Sequence, residues 1–239
     1  MAKNGGSVIF KFEADDKKVN SAISGLGNGL KTAAGVGIKA VGALSAAIVG
    51  VVTAGVKSYA DLEQNIGGIE TLFKDSADTV IANAKKAYET AGMSANQYME
   101  TVTSFSARLL QGLGGDTEKA AKIADMAVQD MSDNANKMGT SIEMIQNAYQ
   151  GFAKQNYTML DNLKLGYGGT ATEMARLIND SGVLGDSMKV TAENVNNVSF
   201  DKMIEAIHVI QDRMGITGTT AKEASETISG SMNSAKAAF

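Results

Sequence analysis

Hydrophobic residues recur at helical spacing through most of the chain after about residue 61. Offsets of three and four residues place side chains on one face of an α-helix, so this spacing predicts amphipathic helices. One such helix is predicted from about residue 116 and another from about residue 199. Their apolar stripes consist of Ala120, Ile123, Ala124, Ala127, Val128, Met131 and Met138 in the first, and of Phe200, Met203, Ile204, Ile207 and Met214 in the second.

Helix-boundary signals divide the same region. Capping boxes of the form S/T-x-x-E/Q satisfy free N–H groups at a helix start; they pair Ser94 with Gln97, Thr140 with Glu143, Thr170 with Glu173 and Thr220 with Glu223. Glycines suited to a helix end are Gly92, Gly112, Gly139, Gly182 and Gly215. These signals predict an acidic helical domain over 58–215. They also predict an open-ended C-terminal helix over 216–239, as if the chain were cut from something longer.

Two stretches of this region lack a clean period. The segment 156–170 ends in Gly and Tyr, and 183–200 is rich in Asn. Both are predicted to be ordered connections that contain one short helix each.

The first 57 residues follow a different pattern. The stretch "SVIFKFEA" (7–14) places Val8, Phe10 and Phe12 on one side, which predicts a short strand within 1–14. A basic, Gly- and Ala-rich apolar helical arm is predicted over 15–57. The predicted fold class is therefore all-α and mainly helical. It combines that short N-terminal β-strand, a Gly/Ala-rich apolar helix and a multi-helix bundle with short glycine-capped loops.

The apolar run over 33–56 is a candidate membrane or self-packing segment. Its uncharged part, from Ala40 to Val56, would span about 25 Å as a helix, against about 30 Å for the hydrocarbon core of a bilayer. Small residues favour close helix packing. Three interpretations stay open: a buried core helix, a constitutive membrane anchor, and a conditional segment that is first packed within protein and later enters a membrane. The last is favoured, with candidate residues Gly42, Ala43, Ala46, Ala47, Val49, Gly50 and Val52.

Composition narrows the class of protein. The chain has 239 residues, with no Pro and no Cys. Without proline nothing forbids long helices, and without cysteine there is no disulfide, thiol catalysis or Cys-ligated zinc. Residues 1–57 carry seven Lys and three acidic residues, whereas the remainder carries 15 basic and 23 acidic residues. A basic arm therefore precedes an acidic body, which indicates that the two parts meet different partners.

Few side chains are candidates for chemistry. His208 is the only histidine and lies between apolar residues of a predicted helix, so a half-buried or surface position is expected. Asp125, Asp130 and Asp133 lack the spacing of a calcium-binding loop and are predicted to form a solvated helix face.

Two glycine-rich stretches, "GLGGD" (112–116) and "GYGGT" (166–170), are similar to phosphate-binding loops. Neither is followed by the Gly-Lys-Ser/Thr that such loops need, so both are predicted to be turns between helices. Asp116 and Thr170 would then cap the next helix. No catalytic, cofactor-binding, metal or nucleic-acid site is predicted, and the chain is predicted not to be an enzyme.

Several stretches carry a resemblance to a known family. They are the region 58–116, which begins "SYADLEQNIGGIETLFKDS", the run over 148–180, and within that run "TMLDNLKLGYGGT" (158–170), the most distinctive of the three. These stretches resemble the N-terminal conserved region of phage tail tape-measure proteins, especially those of Gram-positive phages and prophages. The resemblance covers roughly residues 7–239.

The resemblance implies a non-enzymatic, mostly helical protein that lies in the lumen of the virion tail. Its implied partners are the tail tube protein, tail assembly chaperones and further copies of itself. It would be found in the host cytoplasm during assembly, set tail length, and leave the tail ahead of the DNA, with contact to the host membrane on ejection. A helix of 239 residues would measure about 360 Å, which is short for the family. A fragment, a truncated prophage gene or a protein of a short-tailed particle is therefore expected, and the open-ended C-terminal helix favours a fragment.

Two other functions compete with this expectation. A small membrane-active protein, pore-forming or holin-like, would use 33–56 directly, although the long capped region after residue 61 argues against it. A coiled-coil adaptor ranks last, because the apolar stripes do not follow a sustained seven-residue repeat.

Overall fold

Helices account for most of the residues that the structure describes. The structure is a computed structural model, and it describes residues 55–185 and 188–226. The α-helices are α1 (Gly55–Phe73), α2 (Ala77–Thr90), α3 (Ala95–Gly112), α4 (Thr117–Met138), α5 (Ile142–Ala153), α6 (Ala171–Ser181), α7 (Phe200–Arg213) and α8 (Thr219–Glu226). Short 3-10 helices lie at Lys74–Ser76, Leu160–Leu163 and Val195–Asn197.

The predicted mainly helical class is confirmed for this part of the chain, in which no strand occurs. The strand predicted within 1–14, the arm up to residue 54 and the end of the C-terminal helix, 227–239, lie outside the described residues.

Helix α4 is the central element of the described domain. It packs against α2, α3, α5, α7 and α8. Its predicted apolar stripe is buried from Ala120 to Met131, with Met138 only partly covered. Full burial of a Val, Ile or Met side chain stabilises a fold by about 1.5–3 kcal/mol, so this stripe is a large part of what holds the surrounding helices.

The stripe of α7 agrees with its prediction except at the end. Phe200, Met203, Ile204 and Ile207 are all buried. Met214 is 47% exposed, because α7 ends at Arg213 and the chain turns away there.

Three of the five predicted helix caps agree with the structure. Ser94 and Gln97 form the complete capping box predicted for α3. Asp116 caps α4 by accepting the N–H of Lys119, and Thr170 caps α6 by accepting that of Glu173.

Two predicted caps are wrong. The cap of α5 is Ser141 rather than Thr140, whose hydroxyl instead donates to the Asn162 carbonyl. Thr220 does not cap α8, because the helix already begins at Thr219 and a side chain from α4 accepts its first N–H groups.

Each of the two irregular connections contains a short helix among its described residues, as predicted. The first holds the 3-10 turn Leu160–Leu163 and the second holds Val195–Asn197. In the first connection the backbone passes very close to itself. A Cβ atom built on Gly169 would lie 2.3 Å from the Thr158 carbonyl oxygen, so only glycine fits there.

Candidate functional site

The sequence-predicted site lies outside the described residues. Gly42, Ala43, Ala46, Ala47, Val49, Gly50 and Val52 all fall before residue 55, where the description begins. Among the helices that are described, none combines the length and apolar character needed to cross a bilayer.

The middle of α4 carries an unexpected set of buried polar side chains. Asp130, Ser132, Asp133 and Asn134 are each at most 8% exposed. The predicted solvated acidic face is therefore wrong for Asp130 and Asp133, because five helices cover α4. Asp125 is half-buried and accepts a 2.6 Å hydrogen bond from the Tyr98 hydroxyl. We call residues 130–134 the polar centre of α4.

Three consecutive side chains of the polar centre each reach the end of a different helix. Ser132 donates to the Ala91 carbonyl at the end of α2 (2.5 Å), and Asn134 donates to the Leu163 carbonyl at the end of the 3-10 turn (3.0 Å). The Asp133 carboxylate accepts the N–H groups of Gly218 (2.6 Å) and Thr220 (2.8 Å) at the start of α8. Successive residues of a helix point in different directions, so three neighbours can anchor three elements around one helix.

These contacts satisfy groups that a helix cannot satisfy itself. The first N–H and last C=O groups of every helix lack partners within it. Inside a packed domain such groups are costly unless another group binds them. The polar centre supplies those partners from α4, which explains why polar residues are tolerated in a buried helix.

The Asp130 carboxylate pairs with the only histidine of the chain. Its two oxygens lie 2.9 and 3.0 Å from Nδ1 of His208 on α7. The Asp130 side chain is 1% exposed, whereas that of His208 is 33% exposed. Burial raises the pKa of the Asp130 carboxyl to about 6, although the hydrogen bond to His208 opposes this. The same hydrogen bond raises the pKa of His208.

Two uncharged polar side chains lie beside this pair. Gln211 on α7 is fully buried, and its side-chain amide faces the Asp130 carbonyl at 3.4 Å. Tyr149 on α5 is also fully buried, and no group in the described part of the chain hydrogen-bonds its hydroxyl. Burial, reinforced by the charge of Asp130, raises the pKa of Tyr149 well above its ordinary value.

This arrangement suits the binding of helices to one another better than covalent chemistry. A histidine held by a buried carboxylate occurs in nucleophilic catalysis, but there a nucleophile lies within hydrogen-bond reach of the second ring nitrogen. Within the part of the chain that the structure describes, the hydrogen bonds of His208 lead to Asp130 alone. Among the described residues, no three His, Asp or Glu side chains converge as metal ligands.

A shallow groove of about 440 Å³ lies between α6 and the segment 190–193. Arg176, Asn179 and Glu193 line it. Its central amide, Asn179, already bonds both backbone groups of Val190. These bonds join α6 to the segment 190–193 along the groove.

The two glycine-rich stretches are turns between helices, as predicted. "GYGGT" is fastened to α6 by Arg176, which donates to the Gly166 carbonyl at 2.7 Å and lies 4.3 Å from the centre of the Tyr167 ring. The Glu173 carboxylate accepts the Gly168 N–H at 3.1 Å. The Gly168 N–H of this turn is thus bound by one of the protein's own side chains.

Comparison of the chain with protein-family models, with curated proteins and with solved structures finds no match.

Proposed function

We propose that the chain is a structural component of a phage tail: a tape-measure protein, or the N-terminal region of one. It would act in tail assembly, in setting tail length and in genome ejection. Its partners would be the tail tube protein, tail assembly chaperones and other copies of itself. It would act in the tail lumen after assembly in the host cytoplasm.

The observation that carries this proposal is the resemblance of "TMLDNLKLGYGGT" (158–170) together with the physical role of that segment. Its most unusual residues have structural reasons in this chain. Gly169 allows the backbone to pass the Thr158 carbonyl, and Leu160 and Leu163 are fully buried. Asn134 of the polar centre holds the Leu163 carbonyl. The distinctive stretch is therefore a packing motif that belongs to the helical domain.

The helical architecture is a second support. The described residues form packed helices around α4, and the side chains of the polar centre serve helix ends. A protein that works through shape and assembly needs a stable helical domain and no reactive group.

Tail length tests the proposal directly. In the phage or prophage that encodes the chain, a series of in-frame deletions of different lengths is made in the gene, and tails are measured by electron microscopy. Tails are expected to shorten with each deletion, by about 1.5 Å per residue removed if the measuring segment is helical. Tails of unchanged length throughout the series, or purified tails that lack the chain by mass spectrometry, would contradict the proposal.

The apolar stretch over 33–56 supports a second candidate, a membrane-active pore-forming or holin-like protein. The same stretch would contact the host membrane on ejection if the first proposal holds. Dye-loaded vesicles separate the two. If the free full-length chain releases dye, and the double substitution of Ala46→Asp and Val49→Asp abolishes the release, while purified tails lack the chain, the second candidate is favoured. If the free chain leaves vesicles intact, the second candidate fails.

A further inference from the structure

We propose that Asp130 and His208 form a proton-controlled latch between α4 and α7, which holds α7 firmly when the pair carries an extra proton and loosens it when that proton leaves. The pair joins two helices through residues 78 positions apart. It is the one contact between α4 and α7 in the polar centre whose charge can change near neutral pH.

The different exposure of the two side chains shows how a proton reaches the pair and where its charge acts. The Asp130 carboxylate is closed off from solvent, whereas a third of the His208 side chain is exposed. Protons therefore exchange with solvent at His208, and the resulting change of charge acts on the buried Asp130 carboxylate. With His208 protonated, a buried negative charge faces a positive one at 2.9 Å. With His208 neutral, its Nδ1–H still donates a hydrogen bond, but the buried negative charge has no counter-charge.

Other acidic side chains near the pair make the loss of the positive charge on His208 costly. From α4, Asp133 acts on the pair, and from α7, Asp212 does so. Tyr149 faces Asp130 from α5. Other titratable side chains that reach α4 are Tyr98 from α3, bound to Asp125, Glu223 from α8, bound to Asn136, and Lys164, bound to the Met138 carbonyl at the end of α4. The charges acting on the pair are thus two further carboxylates, so deprotonation leaves three acidic groups close together.

The direction of the pH dependence follows from these groups. Burial raises the pKa of Asp130, and the hydrogen bond to Asp130 raises the pKa of His208, so the folded pair binds more protons than the same two groups in the unfolded chain. The contribution of Asp130 is lost as pH rises from 3.8 through about 6. The contribution of His208 is complete below 6.5 and is lost as pH rises through its higher folded value. The latch therefore weakens as pH rises, opposite to the behaviour of an ordinary surface carboxylate.

The single histidine makes the titration simple to observe, because the full-length chain gives one set of imidazole signals by NMR. We expect the His208 midpoint to lie above 6.5 in the native chain. Asp130→Asn should move the midpoint down, because the carboxylate that favours the charged ring is gone. A native midpoint at or below 6.5 would overturn the latch, and this measurement needs no variant.

Hydrogen exchange then tests whether the proton controls α7. After correction for intrinsic exchange, amides of 200–213 should lose protection between pH 6 and pH 8.5, whereas those of α3 serve as an internal reference. In the double variant Asp130→Asn with His208→Gln neither side chain of the pair can titrate, so its α7 protection should not change over that range. Equal loss in α3 and α7, or a loss of α7 protection in the double variant as large as that in the native chain, would show that the pair is only a static contact and would overturn the proposal.

Discussion

The polar centre of α4 and the outer face of α6 both use charged side chains, but in opposite settings. Asp130 and Asp133 are 1% exposed, and each binds a segment more than 75 residues away. On α6, Arg176 pairs with Glu173 and Asp180, three and four residues away on the same helix. The side chains of Arg176 and Asp180 are 48% exposed.

The difference shows which polar side chains contribute to the stability of the whole domain. An exposed pair between neighbours on one helix is screened by water and adds little to stability. A buried carboxylate that accepts backbone N–H groups is costly to leave unpaired, so its partners are held tightly. The polar centre should therefore dominate the response to substitution, although both regions look equally charged in the sequence.

The largest effect should come from Asp133→Ala. The N–H groups of Gly218 and Thr220 then lose their acceptor, and the free energy of unfolding should fall by about 3 kcal/mol. Urea unfolding of the full-length chain measures this, and hydrogen exchange should show the loss first in 216–226. The matched control is Asp180→Ala on α6, for which no resolvable change is expected. Equal effects of the two substitutions would remove the distinction between the two regions.

A second substitution separates a packed turn from an open one. Gly169→Ala places a Cβ atom 2.3 Å from the Thr158 carbonyl oxygen, so the backbone must shift at a cost of about 2 kcal/mol or more. At Gly168 the nearest atom would be a flexible Glu173 Cγ at 3.6 Å, so Gly168→Ala should be tolerated. Thermal unfolding of the two variants side by side measures the difference. If both are tolerated, the turn adapts and glycine is not required there.

A smaller effect is expected from Ser132→Ala, which removes the partner of the Ala91 carbonyl at the end of α2. The free energy of unfolding should fall by about 1–2 kcal/mol. Ser104→Ala is the control, because Ser104 is exposed and its hydroxyl bonds the Thr101 carbonyl of its own helix. Alanine favours helix there, so the control should be neutral or slightly stabilising. A destabilised control would mean that local hydroxyl bonds matter as much as those of the polar centre.

The smallest effect concerns a buried hydroxyl beside the polar centre. Tyr149→Phe removes a group without a hydrogen-bond partner among the described residues, so stability should stay unchanged or rise by less than about 1 kcal/mol. Tyr98→Phe removes an equally buried hydroxyl that donates to Asp125 and should lower stability by about 1 kcal/mol. Chemical denaturation of the two variants measures which substitution lowers stability more. If Tyr149→Phe is the more damaging, its hydroxyl has a partner in solution.

The sequence predicted those parts of the fold that depend on neighbouring residues. The apolar stripes of α4 and α7, the capping box at Ser94 and the caps at Asp116 and Thr170 all follow from spacings of three or four residues. The predicted caps at Thr140 and Thr220 are wrong because side chains elsewhere in the chain decide which group binds the helix end.

The polar centre was missed for the same reason. The partners of Asp130 and Asp133 lie more than 75 residues away, and no local sequence pattern identifies them. One signal was present: Asp130 and Asn134 continue the stripe that contains Ala127 and Met131 at the same helical offsets. A polar residue at a position that periodicity assigns to the core needs a buried partner, and that inference could have identified both.

Native-state hydrogen exchange of the full-length chain tests most directly whether α4 is the element on which the domain depends. Amides from 127 to 134 should exchange only through global unfolding and be the slowest among the described helices, whereas those of α6 and α8 should exchange earlier through local opening. Slower exchange in α6 than in the middle of α4 would contradict this and would show that the buried polar contacts do not hold the domain together.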